Sequence, residues 1–150
     1  MSEIRNVLLA EDNANDLELT LTALAANHLG DRVKVVRDGV EAWEYLSGRD
    51  QAADRSDLPA VVLLDIKMPR MDGLEVLRRM KADPELRQIP VVMLTSSREE
   101  RDLVASYQLG ANAYVVKPVD FMEFVTAVRN LGLFWAVINE PPPGSARKAA

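Results

Sequence analysis

Side chains that can do chemistry stand directly after four short apolar runs. Glu11-Asp12 follow NVLLA, Asp65 follows VVLL, Thr95-Ser96 close VVML, and Lys117 follows AYVV. One polar residue after such a run usually does no more than begin a loop. Agreement among four runs, in carboxylates, hydroxyls and an ammonium, is hard to assign to chance. Carboxylates brought together repel one another, and without a counterion at least one has a raised pKa. A divalent cation resolves that conflict, and all-oxygen ligands suit magnesium. Asp65 is the first residue to suspect, because burying a carboxylate beside a core strand is costly unless it reaches a solvent-facing rim.

Something must bring these residues to one rim. The β-branched run Val61–Leu64 reads as a strand buried on both faces, the habit of a parallel sheet. Asn6–Ala10, Val33–Val36, Val91–Leu94 and Ala113–Val116 read the same way. Helical spacing separates them. Leu17, Leu21, Leu24 and Ala25 mark one face behind a cap at Asn13 or Asn15; Val40, Trp43 and Leu46 mark a second after Gly39. Leu74, Leu77 and Met80 follow Gly73, read as a turn glycine, and Asp83-Pro84 stops that helix. A helix from about Glu99 to Leu109 ends at Gly110, and Asp120 caps a last one with Phe121, Phe124, Val125, Val128 and Leu131. The polar stretch from Gly48 to Leu58 reads as a loop.

Strands alternating with helices imply an α/β fold, a doubly wound five-stranded parallel sheet of order 2-1-3-4-5, flavodoxin-like. In that order strands one, three, four and five are adjacent. Their carboxyl ends form the rim where ligands collect in open α/β sheets.

With 150 residues, 48% apolar and 27% charged, the chain suits one globular domain. A net charge of -5 with one histidine and no basic block argues against direct nucleic-acid binding. No cysteine excludes a thiol nucleophile and a disulfide framework. No signal core follows Met1 and no apolar run nears membrane-spanning length, so the expected location is the cytoplasm.

These residues together resemble the receiver domain of two-component response regulators. The matching elements are Glu11-Asp12, Asp65 within LLDIKMPRMDG, Thr95-Ser96, and Tyr114 through Pro118, over about Asn6 to Leu131. A finer resemblance, to single-domain regulators that accompany bacterial phytochromes, rests on the loop after Tyr45-Leu46, on KADPELRQIPVVMLTSS and LGANAYVVKPVD, and on the tail from Phe134-Trp135 to Pro143. The resemblance implies that Asp65 accepts a phosphoryl group from a sensor histidine kinase, a phytochrome among the candidates, with Lys117 and Thr95 as catalytic partners. It implies Mg2+ held by Glu11, Asp12, Asp65 and the backbone carbonyl of Lys67. It implies a switch in which Thr95 moves and Tyr114 turns inward. Lys117-Pro118 is a candidate cis peptide. Ser97 and Lys67 are candidates for tuning self-dephosphorylation. Such a protein is a phosphoacceptor with Mg-dependent self-phosphorylation and autodephosphorylation, not an enzyme acting on a separate substrate.

A receiver over 1–135 would leave 136–150 as a Pro-rich extension, irregular or disordered beyond about Pro141. The segment Leu131–Ile138 carries more apolar surface than a helix end needs. The resemblance points to a homodimer through the fourth helix, fifth strand and fifth helix, with Met122, Phe134, Trp135 and Ile138 as interface residues. Two other classes rank lower. A small-substrate phosphatase with an aspartyl-phosphate intermediate commonly has a second acid two residues after the nucleophile, where Lys67 stands here. A flavin or nucleotide carrier needs a phosphate cradle, and Glu-Asp-Asn after strand one repels phosphate.

Overall fold

A computed structural model describes residues 6–25, 32–48, 58–117, 122–123, 126–127 and 129–130. The elements run β1 (Val7–Ala10), α1 (Ala14–Ala25), β2 (Val33–Val36), α2 (Gly39–Ser47), β3 (Val61–Leu64), α3 (Gly73–Ala82), a 3-10 turn (Leu86–Gln88), β4 (Val91–Thr95), α4 (Glu100–Gln108) and β5 (Ala113–Val116). Residues 122–123, 126–127 and 129–130 are helical, where the last helix is expected. Its cap at Asp120, most of the loop between Gly48 and Leu58, the Lys117-Pro118 bond and everything from Leu131 lie outside the described residues.

All strand pairs are parallel and the order is β2-β1-β3-β4-β5. Alternate strand residues serve opposite faces. Leu8, Ala10, Val62, Leu64 and Met93 pack with Ala42, Leu46, Val76, Leu77 and Met80 of α2 and α3. Val7, Leu9, Val61, Leu63, Val92 and Leu94 pack with Ala23 and Leu24 of α1. Burial on both sides is why the central strands read as unbroken apolar runs.

Local signals start the helices. Asn13 accepts from the Asp16 amide at 2.9 Å, so Asn13, not Asn15, caps α1. Asp38 caps α2 through Glu41, and Asp72 caps α3 through Glu75. The inward face of α1 differs from the expected one. Thr20, Ala23 and Leu24 are buried, Leu17 and Leu21 only partly, and Ala25 is exposed. Thr20 can enter the core because its hydroxyl donates to the Asp16 carbonyl at 2.7 Å.

Gly73 also departs from its reading as an ordinary turn glycine. It is the first residue of α3, and its amide donates to Ile66 O at 2.7 Å. A Cβ there would lie 2.1 Å from the Asp65 carbonyl oxygen. The helix therefore starts in backbone contact with the strand end that carries the suspect carboxylate. No described helix is long and apolar enough to cross a membrane.

Candidate functional site

Register delivers the site. Ala10 pairs with Leu64, so Glu11 and Asp65 leave their strands side by side. Thr95 pairs with Val116, so Lys117 emerges next to it. The ladder continues one residue beyond the strands: Asp65 N donates to Ala10 O at 3.2 Å, Glu11 N to Val36 O at 3.1 Å, and Lys117 N to Thr95 O at 2.8 Å. The backbones of Glu11, Asp65 and Lys117 are thus fixed by the sheet, while Asp12 lies one residue beyond the ladder.

Carboxylate oxygens of Glu11, Asp12 and Asp65 all lie within 4.8 Å of one another. Glu11 and Asp65 are buried and Asp12 is exposed, leaving one open side. Lys117, itself buried, reaches Asp65 Oδ2 at 3.1 Å and Asp16 Oδ2 at 2.9 Å, and also bonds Glu11 Oε1. Asp65 Oδ1 accepts from the Ile66 amide at 2.7 Å. The cluster is rich in anionic oxygen, only partly neutralised by one ammonium, and is suited to a hard divalent cation.

Burial first, and the adjoining Asp65 second, push the Glu11 carboxyl up to about 7 against the pull of Lys117. For Lys117, burial disfavours the charge, but its carboxylate partners outweigh that and hold the ammonium above its ordinary range. The raised Glu11 favours the metal-free fold at acid pH, and that contribution is lost as pH rises from 4.5 through about 7. A cation that took Glu11 as a direct ligand would displace its proton. Calorimetry of divalent binding in buffers of different ionisation enthalpy should therefore show about one proton released near pH 6 and almost none near pH 8.5. Apparent affinity should fall by up to about tenfold per pH unit below 7.

Asp16 was not legible as a site residue. Its one sequence signal is its place in the first turn after the Asn13 cap, which aims it back toward the rim. Lys67 is exposed, and its ammonium stands 4.0 Å from Glu99, turned to solvent. The Thr95 hydroxyl is buried and accepts from the Ser97 amide at 3.2 Å. The Ser97 hydroxyl donates to Asp102 at 2.6 Å, and the half-buried Tyr114 donates its hydroxyl to Ser97 O at 2.9 Å. Ser97 thus joins Thr95, Tyr114 and the start of α4. Met122 is exposed; Phe134, Trp135 and Ile138 lie outside the described residues.

The response regulator receiver domain family matches residues 7–129. The chain belongs to that family. It is 35% identical over 129 residues to the response regulator Rcp1 of Synechocystis sp., spanning 86% of this chain and 87% of Rcp1. The Mn(2+)-bound crystal structure of Rcp1 superposes with a TM-score of 0.83 at 34% identity, covering 92% of this chain and 99% of that one. The phosphorylated cyanobacterial phytochrome response regulator RcpA gives 0.79 at 35%, covering 91% and 99%. The bacteriophytochrome response regulator AtBRR gives 0.70 at 58%, covering 92% and 99%. The chain is therefore a signalling protein of the two-component class, and its acidic cluster brings together three carboxylates that could hold a metal ion.

Proposed function

We propose that Asp65 takes a phosphoryl group from a phosphohistidine on a sensor kinase and that protein contacts pass the signal on. The contact of the Lys117 ammonium with Asp65 Oδ2 at 3.1 Å, beside Glu11 and Asp12, carries this reading. In the transfer an Asp65 oxygen forms a bond to phosphorus as the bond to the imidazole nitrogen breaks, its electron pair staying on the ring. Such a step needs in-line positioning and neutralised oxygens more than covalent help. Lys117 would exchange carboxylate partners for a phosphoryl oxygen, and the Thr95 hydroxyl would supply a second donor. Mg2+ held by Asp12, Asp65, the Lys67 carbonyl and Glu11, directly or through water, would neutralise charge on the transferring oxygens. Water attack on the acyl phosphate in the same pocket returns the carboxylate and inorganic phosphate, with Ser97 and Lys67 setting access.

For the readout, Thr95 gives up the Ser97 amide for phosphate, and Tyr114 responds through Ser97. The similarity to the phytochrome response regulator RcpA and the bacteriophytochrome response regulator AtBRR favours a phytochrome as the kinase, acting in the cytoplasm. The receiver spans 1–135 and the extension 136–150. Output through a homodimer is supported by Leu103, Val104 and Tyr107 exposed on α4, with Met122 exposed on the following helical residues. Sedimentation should give a dimer for the native chain and a shift toward monomer for Trp135→Ala. An unchanged mass and affinity would count against that interface.

Acetyl phosphate with Mg2+ tests the phosphoacceptor. Intact mass should show a base-labile, phosphate-sized adduct on the native chain and none on Asp65→Asn. An adduct of equal yield on both would remove Asp65 from the role.

A further inference from the structure

The two loops that carry the acidic cluster are both gripped by one dipeptide that belongs to neither. Arg37-Asp38 follows β2, the strand outside β1 in the sheet. Arg37 spreads its guanidinium over consecutive carbonyls of the acidic pair, Nε to Glu11 O at 3.1 Å and Nη2 to Asp12 O at 2.9 Å. Asp38, buried, turns the other way. Its Oδ2 receives Arg70 Nε at 3.0 Å and Arg70 Nη2 at 2.9 Å, across to the loop between β3 and α3.

Two further observations show that this second contact is built in. Arg70 is the one non-glycine residue with positive φ among the described residues, at 68°. Glycine adopts that left-handed conformation freely and other residues do so at a cost. The forked contact of Arg70 with Asp38 accompanies that strained backbone. Next to it, a Cβ on Gly39 would lie 1.9 Å from Met71 O, so the start of α2 and the loop between β3 and α3 meet backbone to backbone.

We infer that Arg37, Asp38 and Arg70 form a strap that sets the spacing of Glu11 and Asp12 from Asp65, and so act as positioning residues for the divalent cation. The cluster's own charges demand such a device. The ladder and Lys117 hold Glu11 and Asp65, but Asp12 and the loop after Asp65 lie beyond that ladder. Repulsion among carboxylates within 4.8 Å acts on them while no cation is bound. The strap opposes that repulsion from outside, touching no carboxylate of the cluster. Outer partners that orient ligands in this way typically affect metal affinity by about 10–100-fold.

The inference rests on the acidic cluster being a cation site, and one titration separates the two claims. Free Mn2+ is followed by electron paramagnetic resonance for the native chain, Arg70→Gly and Arg37→Met, with thermal midpoints measured alongside. Arg70→Gly relieves the backbone while removing the guanidinium. With Arg70 half-exposed, the lost ion pair is small and the relieved backbone offsets it, so the metal-free midpoint should move little while Mn2+ binding weakens by about tenfold. Arg37→Met should weaken binding similarly. Native binding with both variants equal to it overturns the strap alone. Weakened binding that only tracks a lowered midpoint in both variants also overturns it, because the residues would then serve the fold and not the site. No Mn2+ binding by the native chain overturns the cation site and the strap with it.

Discussion

Lys117→Met slows phosphorylation of Asp65 by acetyl phosphate by about a hundredfold, the usual loss when a donor aimed at developing charge is removed. Methionine keeps most of the stem and deletes only the ammonium, so the change reads charge and hydrogen bonding. The same substitution leaves Glu11, Asp16 and Asp65 without their shared counterion. Breaking a buried ion pair by removing one partner costs about 3–5 kcal/mol. The metal-free midpoint should fall accordingly. Saturating Mg2+ should recover more of the midpoint in Lys117→Met than it adds to the native chain, because the cation takes over the missing charge. Equal recovery in both proteins would mean that Lys117 does not balance this cluster.

Gly73→Ala has the second large effect, at a residue with no functional group. The added methyl would sit 2.1 Å from the Asp65 carbonyl oxygen, a contact that backbone must yield to relieve. Overpacking of this kind costs about 1–3 kcal/mol. The site should suffer more than the fold. Displacing a reacting group by about 1 Å can cost about a hundredfold in rate. Denaturant midpoints and initial labelling rates, both measured where the variant is folded, separate the two effects. A variant that loses stability yet labels at the native rate would show that α3 does not position Asp65.

Much of this site was readable because a parallel sheet converts sequence into place. Each apolar run ends at one edge, so Glu11-Asp12, Asp65, Thr95 and Lys117 could be listed together from the positions where those runs stop. The strand order places them as neighbours, as the register of Ala10 with Leu64 and of Thr95 with Val116 confirms. What could not be read depends on how helices and loops dock. Asp16 meets Lys117 only through the direction in which α1 leaves Asn13. Thr20 replaces Ala25 in the core because a local hydroxyl-to-carbonyl bond satisfies it, which periodicity does not weigh. Gly73 looked like a turn residue because a close backbone approach leaves no trace in composition. Nothing in the sequence separates Arg37, Asp38 and Arg70 from ordinary loop charges; only the left-handed Arg70 and the two forked contacts set them apart.

Borohydride trapping tests at residue level whether Asp65 carries the phosphoryl group. Borohydride reduces an aspartyl phosphate to homoserine and leaves free carboxylates and phosphoserine or phosphothreonine unreduced. The protein is phosphorylated with acetyl phosphate and Mg2+, reduced, digested and sequenced by mass spectrometry. Homoserine at position 65, and at neither Asp12 nor Asp16, is the predicted result. Homoserine at another aspartate, or phosphate recovered on Thr95 or Ser97 with Asp65 intact, would contradict it.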